Sequence, residues 1–394
     1  MSDALLPVFS PASVLFDHGE GAWLVAANGE RYLDFGAGIA VNALGYSHPH
    51  LVGALERQGR KLWHLSNVYR ISEAERLAER LTAACFADVA FFANSGAEAN
   101  ECAIKIARRH HDAHGRPERW RIITFDGAFH GRTLATMAAG GNRKYLDGFG
   151  PAVDGFDQCP LEDIEAVRAR VGPRTAALMI EPIQGESGIR PVSHGFLRQL
   201  RELCDERGLL LIFDEIQCGM ARTGHLFAHQ EAGVVPDIMS LAKGLGGGFP
   251  IGACLATRGA AFGMRPGAHG STFGGNPLAG AVANAVLDIV MDDGVLAEIR
   301  RKSALLRGLL EELAGRYPDL LVEVRGRGLM LGLKTTRPSP EIVEALRARA
   351  KVLTIAAGDT VTRVLPPLIV TDKDIRLFAE RCDETFAGLS RPAA

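Results

Sequence analysis

The chain has 394 residues, 47% hydrophobic and 23% charged, with a formal net charge of −2. That balance describes a globular protein with room for a large core and more than one domain, and excludes the basic footprint of a nucleic-acid binder. No apolar run approaches the roughly 20 residues that span a bilayer. The opening M-S-D-A-L-L-P-V-F-S lacks the basic and apolar regions of a secretory signal. Seven scattered cysteines, an odd number, read as small buried hydrophobes in a reducing compartment. The expectation is a cytoplasmic protein with neither nucleic-acid nor membrane partners.

In chain order, W-L-V-A-A-N-G-E-R-Y-L-D-F predicts a hairpin, with Asn28-Gly29 favouring a type I′ turn. V-A-F-F (89–92) reads as a strand, followed by a helix to Arg109 that places Ala99, Cys102, Ala103, Ile106 and Arg109 at helical spacing. Short apolar runs at 122–125, 177–180, 209–213 and 251–256 are further strands, and 162–170 and 195–207 are covering helices. This alternation is the signature of βαβ units in a mostly parallel sheet. Past Pro277 two long helical stretches run to Val290 and from Val295 to Leu313, before a smaller α+β region that begins at V-E-V-R-G-R-G. The predicted division is an N-terminal segment (1–45), a large domain (46–285) and a C-terminal region (286–394). The two terminal parts pack together as a small domain.

Several strings carry chemistry. Lys243 follows the apolar run of D-I-M-S-L-A and precedes G-L-G-G-G-F-P. Burial there disfavours the ammonium and makes a nucleophilic amine available. Glycines after the lysine exclude a Walker A loop, in which they come first. Asp214 ends L-L-L-I-F, where open α/β sheets bind ligands. A lysine and a carboxylate at neighbouring strand ends suit pyridoxal phosphate: one amine for a Schiff base, one partner for the pyridine nitrogen. Gln217 stands within reach of the ring's phenolic oxygen.

Ser95-Gly96-Ala97, where a strand gives way to a helix, offers free N–H groups to a phosphate. Taken alone it reads rather as a plain N-cap with Glu98 in a capping box, since such caps are common. Phe129 can stack on a planar ring, and Arg132 offers a fork for a carboxylate. Glu186 and Arg363 have a surface ion pair as their bland reading. His110-His111 with His114 reads as a solvated helix end, because adjacent histidines on a helix make poor metal ligands. No metal site is expected.

Taken together, the strings resemble the class III aminotransferases, among the fold type I pyridoxal-phosphate enzymes. The likeness runs through D-F-G-A-G-I-A-V-N-A-L-G-Y-S-H-P, N-S-G-A-E-A-N-E, A-F-H-G-R-T, E-P-I-Q-G-E, L-I-F-D-E-I-Q-C-G-M-A-R-T-G and H-G-S-T-F-G-G-N-P-L. The resemblance implies that Lys243 bonds the cofactor and shuttles the proton. It implies that Asp214 holds the protonated ring nitrogen, Phe129 stacks on the ring and Gln217 approaches its hydroxyl. Ser95, Gly96 and Ala97 would bind phosphate from one subunit and Thr272 from the other, so a homodimer shares each site.

Arg132, assisted by Ser271, would hold the substrate carboxylate remote from the reacting amine. Glu186 would pair with Arg363 while an ω-amine reacts, then release it for the α-carboxylate of glutamate or 2-oxoglutarate. The implied reaction moves the terminal amino group of N2-acetylornithine to 2-oxoglutarate, a step of arginine synthesis. Ornithine, succinylornithine, N-succinyl-diaminopimelate and 4-aminobutyrate stand as other donors. An aminomutase and a catalytically retired binding protein are the other kinds of reading. Phe9 and Phe273 stand where the family often has tyrosine.

Overall fold

The computed structural model describes residues 4–390. Strands β1 (Phe16–Glu20), β2 (Trp23–Ala26) and β3 (Arg31–Asp34) open the chain as an antiparallel meander. The β2–β3 hairpin lies where the sequence predicts it, but its turn differs. The Ala26 N–H donates to Glu30 O at 2.8 Å, the Gly29 N–H donates to Ala26 O, and of Asn28 and Gly29 only Gly29 has positive φ, at 84°. A type I′ turn needs two such residues, so this is a three-residue loop ending on a left-handed glycine. Asn28 supports it directly, its Oδ1 accepting from the Glu30 N–H at 3.1 Å.

A seven-stranded sheet forms the centre of the molecule. Its members are β4 (Val89–Ala93), β5 (Arg121–Phe125), β6 (Phe156–Cys159), β7 (Thr175–Ile180), β8 (Leu210–Asp214), β9 (Ile238–Leu241) and β10 (Gly252–Ala256). They lie in the order β4-β10-β9-β8-β7-β5-β6. All neighbours are parallel except β10, which runs against both β9 and β4. Every residue of β7, β8 and β9 is buried, as continuous apolar runs covered on both faces require.

Helix α1 (Gly96–Ala113) covers one face with Ala99, Cys102, Ala103, Ile106 and Ala107. Two expectations at its end are corrected. Arg109 is off the buried stripe and pairs with Asp112 at 2.6 Å. His111 is not solvated: it is fully buried, Nε2 lies 2.9 Å from Ala176 O, and burial lowers its pKa to about 4. Helix α2 (His194–Arg207) covers the other face, seating Phe196, Leu197, Leu200 and Leu203. The long apolar helix α3 (Pro277–Val290) leads into α4 (Asp293–Arg316).

A second sheet contains β11 (Leu321–Arg327) and β12 (Met330–Thr335); after α5 (Ser339–Ala350) the chain forms β13 (Val352–Leu353), β14 (Ile355–Ala357) and β15 (Val361–Val364). This sheet has the order β11-β12-β15-β14, while β13 leaves it to run parallel to β3. Helix α6 (Asp372–Ser390) seals the join between the two ends of the chain. Phe378 stacks on Phe35 at 4.0 Å between ring centroids, and Trp23 Nε1 donates to Asp374 at 3.0 Å. The cysteines are free, and all but Cys85 are buried. Among the described residues no helix is long and apolar enough to cross a membrane, and no cluster of three or more metal-ligating side chains occurs.

Candidate active site

The C-terminal ends of the parallel strands face a cavity of about 430 Å³. Five of the stretches that meet there are Ser95 to Ala97, Phe129 to Arg132, Glu181, Asp214 with Ile216 and Gln217, and Lys243. Each stretch directly follows a strand or lies in the loop after one, the position at which a doubly wound sheet presents ligand-binding groups.

Asp214 is the last residue of β8, buried, and held on both oxygens. Its Oδ2 accepts from Asn100 Nδ2 at 2.8 Å and lies 2.9 Å from His130 Nδ1, while its Oδ1 accepts from the Ile216 N–H at 3.0 Å. Burial alone would lower the His130 pKa, but the hydrogen bond and charge of Asp214 override it and hold the imidazolium above its ordinary range. Glu181, after β7, accepts from the Phe129 N–H at 2.9 Å. Burial, reinforced by the Asp214 charge, raises its carboxyl pKa to about 7.

Lys243 begins the turn after β9 with φ 45°, a left-handed conformation disfavoured for a side-chain-bearing residue. Desolvation pushes its amine below the ordinary lysine range. Arg363 acts in the same direction, and the carboxylates of Asp214, Glu181 and Glu186 oppose it. A neutral amine is therefore more accessible here than at a solvated lysine.

At the other end of the cavity Ser95 caps α1, its Oγ accepting from the Glu98 N–H at 3.3 Å. The cap and the anion cradle are thus one structure. The Gly96 and Ala97 N–H groups are among the first donors of the helix, which a helix leaves without internal partners. Glu98 reaches past the capping-box position to accept from the Asn94 N–H at 2.6 Å. The wall beside Val41 depends on four successive left-handed residues, Ala37, Gly38, Ile39 and Ala40, with φ of 45°, 63°, 65° and 61°. Asp34 secures that turn by accepting from the Gly36 and Ala37 N–H groups and from Tyr46 Oη.

Arg132 lines the cavity with its guanidinium 3.7 Å from the Tyr145 ring centroid. Glu186 and Arg363 stand beside the lining rather than in it, near enough for their charges to act on Lys243. Arg363 is 2% exposed and lies 3.1 Å from Glu186, so the pair is not the surface ion pair of the bland reading. Its Nη2 donates to Ala356 O at 3.0 Å, while Nε and Nη1 make no aligned hydrogen bond. A buried fork with unused donors is prepared for an incoming carboxylate.

Ser271 and Thr272 do not line this cavity. They border a neighbouring opening of about 700 Å³ with Glu98 and Phe273, and Ser271 Oγ accepts from Asn94 Nδ2 at 3.3 Å. Phe9 is 75% exposed and contributes nothing to the lining.

The residues present fit pyridoxal phosphate. Helix N–H groups suit a phosphate, Asp214 suits a protonated ring nitrogen and Phe129 suits a ring face. Gln217 points a buried Oε1 without a hydrogen-bond partner, beside a lysine whose desolvated amine can bond an aldehyde.

Glu181, His130, Asn100 and Tyr145 went unassigned in the sequence reading. Glu181 carried the same signal as Asp214, an acid directly after a buried apolar strand. His130 and Asn100 show their part only through their contacts with Asp214.

The Aminotransferase class-III family model matches residues 8–386. An acetylornithine aminotransferase of Mesorhizobium japonicum is 59% identical over 98% of this chain and 97% of that protein. The N-acetylornithine aminotransferase structure from Stenotrophomonas maltophilia is 40% identical, with TM-score 0.85 over 96% of this chain and 97% of that one. The ornithine aminotransferase structure from Toxoplasma gondii, with partial occupancy of PLP at its active site, is 33% identical. Its TM-score is 0.92 over 98% of this chain and 92% of that one. With the lysine–aspartate cavity at the strand ends, these likenesses identify the chain as a member of the class III aminotransferases, pyridoxal-phosphate enzymes of fold type I.

Proposed function

We propose that the enzyme transfers the terminal amino group of N2-acetylornithine to 2-oxoglutarate, giving N-acetylglutamate 5-semialdehyde and glutamate, in the cytoplasm as a step of arginine synthesis. The observation that carries this reading is the pair of arginines flanking Lys243, one open in the cavity and one neutralised by Glu186. A donor with no carboxylate beside its reacting amine leaves the Glu186–Arg363 pair shut and uses Arg132 alone. A dicarboxylate uses both. The acetylornithine aminotransferases among the relatives support the same donor.

When bound, pyridoxal phosphate supplies an electron-accepting ring that stabilises charge at the reacting carbon. The protein's own work is binding, orientation and proton movement. Lys243 Nζ takes the proton from the donor carbon, Asp214 keeps the ring nitrogen protonated, and Phe129 and Gln217 hold the ring in place. Ser95, Gly96 and Ala97 hold the phosphate. Thr272, outside its own chain's cavity, serves the site of a second copy, so the enzyme works as a homodimer with shared sites. Exposed Leu62, Trp63, Val68, Tyr69 and Phe273 supply apolar surface for that contact. Of the described residues, 4–45 and 286–390 form the small domain and 46–285 the large one, with the C-terminal boundary falling inside α3.

A panel of donors with 2-oxoglutarate tests the reaction. The expected outcome is a kcat/KM at least about tenfold higher for N2-acetylornithine than for ornithine or 4-aminobutyrate, within what binding discrimination supplies. A preference for either of the others would overturn the assignment. Turnover without any keto acid would instead indicate an aminomutase.

A further inference from the structure

Tyr145, in a four-residue helix after the Arg132 loop, contacts both halves of the substrate-binding apparatus. Its ring covers the Arg132 guanidinium at 3.7 Å and meets Phe129 edge-on at 5.9 Å. Its hydroxyl donates to Glu186 Oε1 at 3.2 Å, while Glu186 Oε2 faces Arg363 Nη1 at 3.1 Å. Glu186 is thus held from two sides, by the arginine it neutralises and by the tyrosine that stacks on the other arginine. Tyr145 also fixes the plane of the Arg132 fork, because a guanidinium under an aromatic face presents only its edge to a carboxylate.

Resting on the two-carboxylate reading above, we propose that Tyr145 is a positioning residue that couples the two clamps: its hydroxyl holds Glu186 shut on Arg363, and its ring reports the occupancy of Arg132. With Arg132 empty or holding a monocarboxylate, the Tyr145–Glu186 hydrogen bond keeps Arg363 neutralised. A dicarboxylate of the right length competes for Arg363 as it draws on Arg132, and Glu186 yields by leaving both the arginine and the Tyr145 hydroxyl. Specificity then resides in the Tyr145 hydroxyl as well as in the arginines. Burial, and then the Glu186 charge, raise the tyrosine's own pKa, so it remains a donor through the neutral range.

The test is Tyr145→Phe in the holoenzyme, which keeps the ring and removes the hydroxyl. Calorimetric titration with glutarate, which does not react, reads the gate without turnover. The variant is expected to bind glutarate roughly tenfold or more tightly than wild type, the factor carried by one hydrogen bond to a charged group. Binding of the monocarboxylate butyrate should stay within twofold. In half-reactions followed singly, kcat/KM should shift in favour of glutamate over N2-acetylornithine by a similar factor.

In a Glu186→Ala background the same substitution should change neither quantity, because the tyrosine acts through Glu186. Relative to Tyr145→Phe, Tyr145→Leu should weaken both ligands by uncovering Arg132. Unchanged glutarate affinity in Tyr145→Phe, or an effect that survives in the Glu186→Ala background, overturns the proposal. A wild-type enzyme inactive with every amino donor would refute the reaction above, while the glutarate comparison would still decide the tyrosine.

Discussion

Glu181 and Asp214 place two carboxyl groups in one buried corner, with His130 bonded to the second. Glu181 carries a pKa raised to about 7, so the folded chain holds that proton more tightly than the unfolded chain. Its stability contribution is complete below the ordinary carboxyl range and is lost as pH rises through about 7. His130, also raised, loses its contribution in the same direction, at pH values above the ordinary imidazole range. Across pH 5 to 8 the Glu181 contribution should therefore fall by up to about 3 kcal/mol, while buried His111, with its pKa lowered to about 4, adds stability as pH rises. Glu181→Gln, which keeps an acceptor for Phe129 N–H, should remove the Glu181 part of the urea-unfolding pH profile; an unchanged profile would contradict the assignment.

Lys243 is the other residue whose setting decides its chemistry. Lys243→Arg leaves a permanent cation, and both half-reactions should fall by roughly 10³-fold or more, the order carried by a proton-transferring group. Borohydride treatment, read by mass spectrometry, should fix cofactor mass to the wild-type chain and none to the variant.

At the scale of elements, the site depends on how closely β10 and the N-terminus of α1 approach. A Cβ at Gly252 would stand 2.1 Å from Ser95 O, a backbone atom that can move only with the helix. Gly252→Ala should push the α1 N-terminus away from the phosphate position at a cost of about 1–3 kcal/mol. Titration of the apo-protein should show cofactor affinity at least about tenfold weaker with circular dichroism unchanged. Full affinity would show that the cradle is set elsewhere.

The strands and helices around this junction were legible because buried parallel strands read as unbroken apolar runs between amphipathic stretches. Ser95, Phe129, Asp214 and Lys243 stood out because each breaks polar or aromatic chemistry into the chain as such a run closes. Turn geometry was less legible. Asn28-Gly29 favours one turn locally, but pairing of Ala26 with Glu30 and the Asn28–Glu30 bond select another. Nor could the left-handed run Ala37 to Ala40 be read from its residues, since Ile39 and Ala40 adopt that conformation only with the Asp34 anchor in place.

Across the whole molecule, the two chain ends meet through Phe35 on Phe378 and β3 beside β13, which brings Arg363 to the side of a site built mostly by the central sheet. Thr272 lies outside the cavity of its own chain. If it serves a second copy, Lys243→Ala and Thr272→Ala chains, each impaired alone, should recover activity when mixed and reassembled. Half of the dimers are then hybrids, each with one intact site, which amounts to about a quarter of all sites by the statistics of a two-fold assembly. No recovery, with hybrids confirmed by mass, would place the whole site within one chain.

The sequence by itself determined the sheet and the placement of Lys243, Asp214 and Ser95 at its strand ends, because these depend on residues close to strand ends and helix starts. Only the tertiary structure decided how the substrate groups are joined. Tyr145, Arg132, Glu186 and Arg363 come from three distant stretches with no shared local pattern, and a hydrogen bond between remote residues exists only once packing has fixed the distance between them.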